Sequence, residues 1–275
     1  MFSKKCLFSS NPIRNLIPDG GAISIFRKVG FIGDSLSSGE HESFSVKDNA
    51  KGFHDFYEYS WGQYIARKAG LTAINFSRGG LKAREFLDFS TGEDPRANNI
   101  FAPENKCQAY FIALGLNDMT HIDDYKDGFG SYDDVDFVNE DNCKDSYVAQ
   151  YVKIILKLRK IEPKCRIFVL TTAKEKPEDK KKKEDFDRIQ KFLNTLPEKF
   201  EYLYVIDLRK YAPTYDKKWG EKYFLGGHMS ALGYKITADM VMTYVDYIIH
   251  HNIEDFRQVG FIGRENDLHN ELNKW

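Results

Sequence analysis

Five short apolar runs recur along the 275-residue chain, and longer segments with helical spacing separate them. This alternation is typical of a parallel sheet whose crossover connections are helices. Each run is mostly apolar, as expected of strands that are buried on both faces. The predicted strands are Lys28 to Ile32, Thr72 to Phe76, Ala109 to Leu114, Arg166 to Thr171 and Tyr202 to Ile206. We therefore predict an α/β fold with a central five-stranded parallel sheet.

Apolar residues spaced three and four apart mark the helices between these runs. In one segment, Val148, Tyr151, Val152 and Ile155 form a single stripe that can pack against a sheet. The predicted helices are Trp61 to Ala69, Ala83 to Phe89, Ser146 to Lys160, Lys183 to Leu196 and Ala231 to His250. The chain contains no internal repeat and no Gly/Ser-rich or Pro-rich linker. We expect one three-layer α/β/α sandwich domain over residues 1–275, with a core at about 27–252 and an extension at each end.

The charge balance bears on the kind of partner. Forty Lys and Arg against 41 Asp and Glu leave a formal net charge of −1, so no global field favours nucleic acid or an anionic membrane. We expect a small-molecule substrate and leave the oligomeric state open. The basic run at 174–185 is interleaved with acidic residues and lacks aromatics, which favours a solvated loop entering a helix over a nucleic-acid patch.

The cysteines and the N-terminus bear on location. The cysteines are scattered without zinc-ligand spacing, which predicts reduced thiols at Cys6, Cys107, Cys143 and Cys165. The basic start of the chain is broken by proline before any uninterrupted apolar run, unlike a signal peptide. No segment approaches the roughly 20 apolar residues of a membrane-spanning helix. These features predict a cytoplasmic protein that does not enter a membrane.

Ser35 follows the first predicted strand, in the run Gly33-Asp34-Ser35. Open α/β sheets bind ligands at the carboxyl ends of their strands. A nucleophilic serine needs an exposed hydroxyl, a base within reach and backbone N–H groups that can receive negative charge, and a strand-to-helix turn offers all three. Taken alone, the run also fits an ordinary turn in which Asp34 or Ser35 caps the next helix.

Three further blocks share this placement. Gly80 follows the second predicted strand, and a glycine there lets its backbone N–H approach a ligand. Asn117 follows the third predicted strand and carries an amide that can donate to an oxyanion. His228 lies in a glycine-flanked loop before a long helix, as a general base would. Each block alone also fits a loop or a cap, but one shared cleft explains all four.

These four blocks, in this order, resemble those of the SGNH hydrolases, a branch of the GDSL esterase/lipase family. The resemblance spans Phe31 to Tyr234 and implies a flavodoxin-like fold and no metal or organic cofactor. It implies Ser35 as nucleophile and His228 as base. The implied oxyanion hole consists of the N–H groups of Ser35 and Gly80 and the amide of Asn117.

The implied activity is hydrolysis of a carboxylic ester through an acyl-enzyme. A short acyl group such as acetyl, on a carbohydrate or related small molecule, is the expected substrate. A lipase or thioesterase for longer acyl chains and a catalytically silent binding module with the same fold are the alternatives. A nucleotide or flavin binder is disfavoured, because no G-x-G-x-x-G or Walker-type loop follows the first strand.

One position departs from the family pattern. The family carries aspartate three residues before the histidine, and this chain has Leu225 there. An aspartate would hold the imidazole in the reactive tautomer, which a leucine side chain cannot do. We expect a backbone carbonyl to bind Nδ1 instead. A carboxylate from elsewhere is the alternative, with Glu221 and Asp216 the nearest in sequence.

Two long loops beside these blocks are candidates for setting the substrate. The loop from Gly39 to Tyr59 is rich in aromatics and could stack on a sugar, clasp an acyl chain or cover the core. The loop from Thr120 to Asn142 is acidic but lacks the spacing of a calcium loop. Trp61, which opens a helical stripe, is predicted to be structural.

Overall fold

A computed structural model describes residues 11–17, 19–94 and 97–263. Its strands are β1 (Lys28–Gly33), β2 (Glu40–Ser45), β3 (Ala50–Asp55), β4 (Thr72–Ser77), β5 (Ala109–Ala113), β6 (Arg166–Leu170), β7 (Leu203–Ile206), β8 (Phe224–Leu225) and β9 (His228–Met229). The central sheet has five parallel strands in the order β4-β1-β5-β6-β7. This is the flavodoxin-like order, with its topological switch point between β1 and β5. The predicted fold class is confirmed, and each predicted strand agrees with the structure to within one residue at either end.

The helices connect and cover these strands. They are α1 (Ser35–Ser38), α2 (Trp61–Ala69), α3 (Ala83–Phe89), α4 (Leu116–Thr120), α5 (Tyr147–Ile161), α6 (Lys180–Leu193), α7 (Leu208–Tyr211), α8 (Lys217–Tyr223), α9 (Ala231–His251) and α10 (Ile253–Phe256). Short 3₁₀ turns lie at Gly21–Ile25, Tyr57–Tyr59, Pro103–Asn105, Ile122–Asp124, Tyr132–Asp134, Glu140–Asn142, Leu196–Glu198 and Val259–Phe261.

The two faces of the sheet carry separate apolar cores. Successive residues of a strand point to opposite faces. Phe31 of β1 accordingly packs in the core that contains Trp61 of α2 and Tyr234 of α9. Its neighbour Ile32 packs in the other core, with residues of α3, α5 and α6 such as Phe86. The structure therefore has three layers. Trp61 is only 2% exposed, so its ring is part of the packed core, as predicted.

An aromatic ladder crosses the sheet on the α2/α9 face. Parallel register places Phe31, Phe111, Phe168 and Tyr204 side by side on β1, β5, β6 and β7. Successive ring centroids are 5.2, 4.8 and 5.5 Å apart, all in stacked geometry. Offset aromatic pairs contribute about 0.5–1.5 kcal/mol each beyond the area they bury. The ladder therefore stabilises the packing of β1 and β5, whose carboxyl ends lead to Ser35 and Asn117, with β6 and β7.

Helix α6 is displaced from its prediction by three residues at each end, since it covers Lys180–Leu193. It begins early because the Asp179 side chain caps it, accepting a hydrogen bond of 2.8 Å from the Lys182 backbone N–H. It ends at Leu193, and the predicted end at Leu196 instead begins the 3₁₀ turn Leu196–Glu198, which has Pro197 in its first turn. The second half of the basic run, residues 180–185, thus forms the first turns of this helix.

The segment Gly39 to Tyr59, predicted to be a loop, contains the antiparallel hairpin β2–β3. Its turn includes Asn49, whose φ of +49° lies in the left-handed region that asparagine tolerates. The hairpin was missed because β2 and β3 are mostly polar and lack the alternation that marks a half-buried strand. It packs against β9 and so lies beside His228.

Two further expectations concern membrane-spanning helices and the state of the cysteines. None of the helices within the described ranges is long and apolar enough to cross a membrane. Cys107, Cys143 and Cys165 are free thiols, and Cys6 lies outside the described residues.

Candidate active site

Ser35 begins α1, directly after the turn that ends β1. Asp34 caps the helix by accepting a hydrogen bond of 3.0 Å from the Leu36 backbone N–H. A Cβ at Gly33 would lie 2.3 Å from Ser37 Oγ, so a larger residue would not fit in this turn. The half-buried Ser35 therefore lies at the carboxyl edge of the sheet, beside the topological switch point.

Asn117 lies in the first turn of α4, after β5. Its Nδ2 is 3.4 Å from Asp34 Oδ2 and 3.4 Å from the Leu81 carbonyl oxygen. Asp34 adjoins Ser35, and Leu81 adjoins Gly80. The amide therefore lies between the two turns that carry the other predicted oxyanion donors.

Gly80 follows β4 with φ +73°, a left-handed conformation that favours glycine, and the space where a Cβ would stand is open. The next helix is anchored to the same region. Asp118 accepts hydrogen bonds from the Ala83 backbone N–H, at 2.8 Å, and from the Tyr125 hydroxyl. Burial raises the pKa of Asp118, and these hydrogen bonds oppose the rise. Asp118, the residue after Asn117, thus connects the start of α4 to the start of α3, which follows the turn that carries Gly80.

His228 is carried by β9 and pairs with Leu225 across the short β8–β9 hairpin. β9 contacts both α1 and β2. The Tyr234 hydroxyl, in α9, donates to the Glu40 carbonyl oxygen at 2.6 Å and lies 3.3 Å from the Ser35 carbonyl oxygen. These contacts hold the start of α9, and the histidine just before it, against the serine turn.

Glu40 is the carboxylate that contacts His228. Its Oε1 lies 3.2 Å from Nε2, and the two side chains are only 16% and 18% exposed. Its Oε2 packs on Gly79, where an added Cβ would lie 2.1 Å from it. The other ring nitrogen, Nδ1, is buried and has no hydrogen-bond partner among the described residues. Glu40 therefore lies between the imidazole and the glycine loop that leads to Gly80.

The predicted partners of His228 are placed elsewhere. In the described part of the chain no backbone carbonyl binds Nδ1. Asp216 instead caps α8 by accepting a hydrogen bond of 2.9 Å from the Trp219 backbone N–H. Glu221 pairs with Lys217 at 3.9 Å. Sequence reasoning missed Glu40 because it is distant from His228 along the chain, although its place just after the serine turn was an available signal.

The site is acidic. Burial raises the pKa of Asp34 to about 7, and the charges of Asp118 and Glu40 add to the rise. Burial also raises the pKa of Glu40, the charge of Asp55 raises it further, and contact with His228 lowers it. Carboxyl groups are therefore clustered beside the serine, and one of them, that of Glu40, contacts the imidazole of His228.

The β2–β3 hairpin lies over the histidine loop. Glu42 accepts a hydrogen bond of 3.3 Å from the Gly227 backbone N–H and pairs with Lys51 at 2.6 Å. The Phe53 ring lies edge-on to the imidazole of His228 at 5.3 Å between centroids, and Phe53 is 55% exposed. Phe53, from the aromatic-rich segment Gly39 to Tyr59, thus borders the site and faces solvent.

This arrangement combines a serine hydroxyl, an imidazole in contact with a carboxylate, and amide donors at one sheet edge. Such a set can supply a nucleophile, a general base and stabilisation of an oxyanion. Among the described residues, no group of three or more His, Cys, Asp or Glu is placed to hold a metal ion.

The family model for the GDSL-like lipase/acylhydrolase family matches residues 31–236 of this chain, which include all four candidate blocks. No match was found among curated proteins.

Solved structures share the fold at low sequence identity. A family two carbohydrate esterase from Clostridium thermocellum, in complex with cellohexaose, is 16% identical with a TM-score of 0.54; the match covers 83% of this chain and 65% of that one. A Clostridium thermocellum family 3 carbohydrate esterase is 14% identical with a TM-score of 0.50, over 82% and 98% of the two chains. The lipase Lip_vut3 from a goat rumen metagenome is 17% identical with a TM-score of 0.50, over 79% and 97%. The chain thus spans just under two thirds of the first of these proteins.

Proposed function

The chain belongs to the GDSL-like lipase/acylhydrolase family, and from this membership we propose that it hydrolyses a carboxylic ester through an acyl-enzyme formed on Ser35. The observation that carries the proposal is the position of Asn117. Its amide contacts the residue before Ser35 and the residue after Gly80, which supports a single oxyanion site for the three predicted donors. His228 reaches the same edge through β9.

In the proposed acylation step, Ser35 Oγ attacks the ester carbonyl carbon as His228 takes the hydroxyl proton. The carbonyl oxygen becomes an oxyanion, which accepts hydrogen bonds from the N–H groups of Ser35 and Gly80 and from Asn117 Nδ2. Collapse of the tetrahedral intermediate breaks the ester C–O bond, and His228 returns the proton to the departing alcohol. Water then attacks the acyl-serine by the same sequence and releases the acid.

Glu40 takes the orienting role that the family assigns to aspartate. A carboxylate 3.2 Å from Nε2 favours the tautomer with its proton on Nε2 and stabilises the imidazolium formed during each step. That tautomer leaves the lone pair on Nδ1, which has no other partner among the described residues. Catalytic hydrogen bonds are often long before substrate binds. In the proposed substrate complex, Nδ1 accepts a hydrogen bond from the Ser35 hydroxyl.

The alcohol is proposed to be a carbohydrate or a similar polar molecule. Carbohydrate esterases are among the solved structures that share this fold. The exposed ring of Phe53 beside His228 is a surface on which a sugar ring can stack. A polar alcohol bound there would receive its proton from His228 and leave directly into solvent.

The test uses p-nitrophenyl esters and a fluorophosphonate probe, which labels activated serines. Wild type should hydrolyse the esters and be labelled, and Ser35→Ala should lose labelling and at least about 10³-fold in kcat. Ser24→Ala, an exposed serine in the 3₁₀ turn at Gly21–Ile25, is the matched control and should behave as wild type. A folded wild type that is neither labelled nor active would instead be the catalytically silent binding module.

A further inference from the structure

Three buried polar atoms near Asn117 have no hydrogen-bond partner among the described residues. They are Oδ2 of Asp118 and the hydroxyl groups of Tyr147 and Tyr151, and all three side chains are fully buried. A buried polar group without a partner costs folding free energy, so proteins pair nearly all such groups with other protein groups or with ordered water. These three atoms therefore mark a site for a small polar ligand.

The three side chains lie in one region, beneath the turn that joins β5 to α4. Tyr147 and Tyr151 are one turn apart on α5, and their ring centroids are 5.7 Å apart. A Cβ at Gly115, in the β5–α4 turn, would lie 3.0 Å from the Tyr147 hydroxyl. Burial raises the pKa of both tyrosines, and the charge of Asp118 adds to the rise in each. The two hydroxyl groups therefore lie near the buried carboxylate that adjoins Asn117.

The chemistry of these atoms fits a water molecule. Asp118 Oδ1 already accepts hydrogen bonds from the Ala83 backbone N–H and the Tyr125 hydroxyl, so Oδ2 is the oxygen left to accept another. Water can donate one hydrogen bond to Oδ2 and accept one from the hydroxyl group of Tyr147 and one from that of Tyr151. About three hydrogen bonds are typical of a buried water. The set of unpaired atoms therefore matches what one water molecule needs.

We propose that a buried water molecule bridges Asp118 Oδ2 to the hydroxyl groups of Tyr147 and Tyr151, and that this bridge positions Asn117. Asp118 follows Asn117 in the first turn of α4, so fixing its carboxylate fixes the backbone that carries the amide. One carboxylate oxygen is bound to the start of α3, and the water binds the other to α5. Tyr147 and Tyr151 are therefore positioning residues. The water site is independent of the reaction, whereas its positioning role rests on the proposed function, which takes Asn117 as an oxyanion donor.

Tyr147→Phe and Tyr151→Phe test the water site by the sign of their effect on stability. Loss of a hydroxyl that is bridged to a buried carboxylate removes a favourable hydrogen bond, so the equilibrium constant for unfolding should rise about three- to tenfold. Loss of a hydroxyl without a partner would instead remove a desolvation cost and leave the protein at least as stable. Urea unfolding measures the change. An unchanged or lowered unfolding constant in either variant would overturn the water site.

The positioning role is tested by kcat on p-nitrophenyl butyrate. Tyr147→Phe should lower kcat about three- to tenfold and leave KM unchanged, because Asn117 is proposed to bind the oxyanion only in the transition state. In an Asn117→Ala background the same substitution should lower kcat no further, because its effect passes through that amide. A substitution that only loosened the fold would not show this dependence on Asn117.

Tyr110→Phe is the matched control. Tyr110 is fully buried in the same core, but its hydroxyl accepts a hydrogen bond of 3.1 Å from the Cys107 backbone N–H, before the start of β5. This variant should be destabilised and keep the wild-type kcat. No loss of kcat in Tyr147→Phe, or an equal loss in Tyr110→Phe or in the Asn117→Ala background, would overturn the positioning role. A wild type that hydrolyses no ester would overturn the proposed function, while the stability test would still decide the water site.

Discussion

At the residue scale, the carboxyl groups of Glu40 and Asp34 each contact two different groups of the candidate site. Glu40 contacts His228 through one oxygen and packs on the glycine loop through the other. Asp34 accepts a backbone hydrogen bond within α1 and lies against the amide of Asn117. Both carboxyls therefore act on groups adjoining the serine, and each supports a separate prediction.

Glu40→Gln should reduce kcat about 10- to 10³-fold. The amide keeps the shape of the carboxylate but cannot stabilise an imidazolium, and losing the orienting acid costs about 10⁴ in the serine protease triad. A smaller loss is expected here because Glu40 and His228 are both partly exposed. Glu221→Gln, which alters a carboxylate on α8, is the matched control and should leave kcat unchanged. Equal kcat in Glu40→Gln and wild type would exclude the orienting role.

Asp34 should make stability depend on pH. Its folded pKa of about 7 exceeds the usual 3.8, so the folded state retains a proton that the unfolded state has released between these values. The free energy of unfolding therefore falls as pH rises from about 4 to 7, by up to roughly 4 kcal/mol from this group. Asp34→Asn removes the titration, so its stability relative to wild type should increase over that range. Urea unfolding at several pH values measures the difference, with exposed Asp88→Asn as control. If the difference in free energy of unfolding between Asp34→Asn and wild type stays constant with pH, the pKa of Asp34 is not raised in the folded state.

At the element scale, the β2–β3 hairpin supports the loop that carries His228. Glu42 of β2 binds the Gly227 backbone N–H, and Phe53 of β3 packs beside the imidazole. The loop also contains Gly226, with φ +66°, packed directly against the Glu42 carboxylate. The hairpin, which the sequence patterns did not reveal, thus determines where β8–β9 lies.

Gly226→Ala should reduce both stability and kcat. A Cβ there would lie 1.5 Å from Glu42 Oε2, so the carboxylate must move and release Gly227. The left-handed φ adds about 1–2 kcal/mol of backbone strain, which lowers the melting temperature by several degrees. We expect kcat on p-nitrophenyl butyrate to fall several-fold or more. Gly227→Ala, where a Cβ meets nothing within 4 Å, is the matched control. If both variants lose equally, the contact with Glu42 does not position the loop.

At the scale of the whole molecule, one sheet edge brings distant parts of the chain together. Parallel strands place their carboxyl ends at the same edge, and the switch point between β1 and β5 opens a crevice there. The aromatic ladder fixes β1, β5, β6 and β7 relative to one another. The candidate nucleophile Ser35 follows β1 and therefore lies at this edge.

The sequence by itself determined the sheet, the main helices and the blocks that carry Ser35, Gly80, Asn117 and His228. These features follow from local periodicity and from the rule that parallel strands share an edge, and neither requires contacts between distant residues. Helix ends were less certain, as the capped start of α6 shows, because one side chain can shift a boundary.

Only the tertiary structure decided the partner of His228 and the hairpin over the histidine loop. Glu40 and His228 lie at opposite ends of the chain, and no local pattern links them. The hairpin strands are polar, and their pairing depends on packing against β9. Each depends on how distant segments meet, and that is a property of packing in three dimensions.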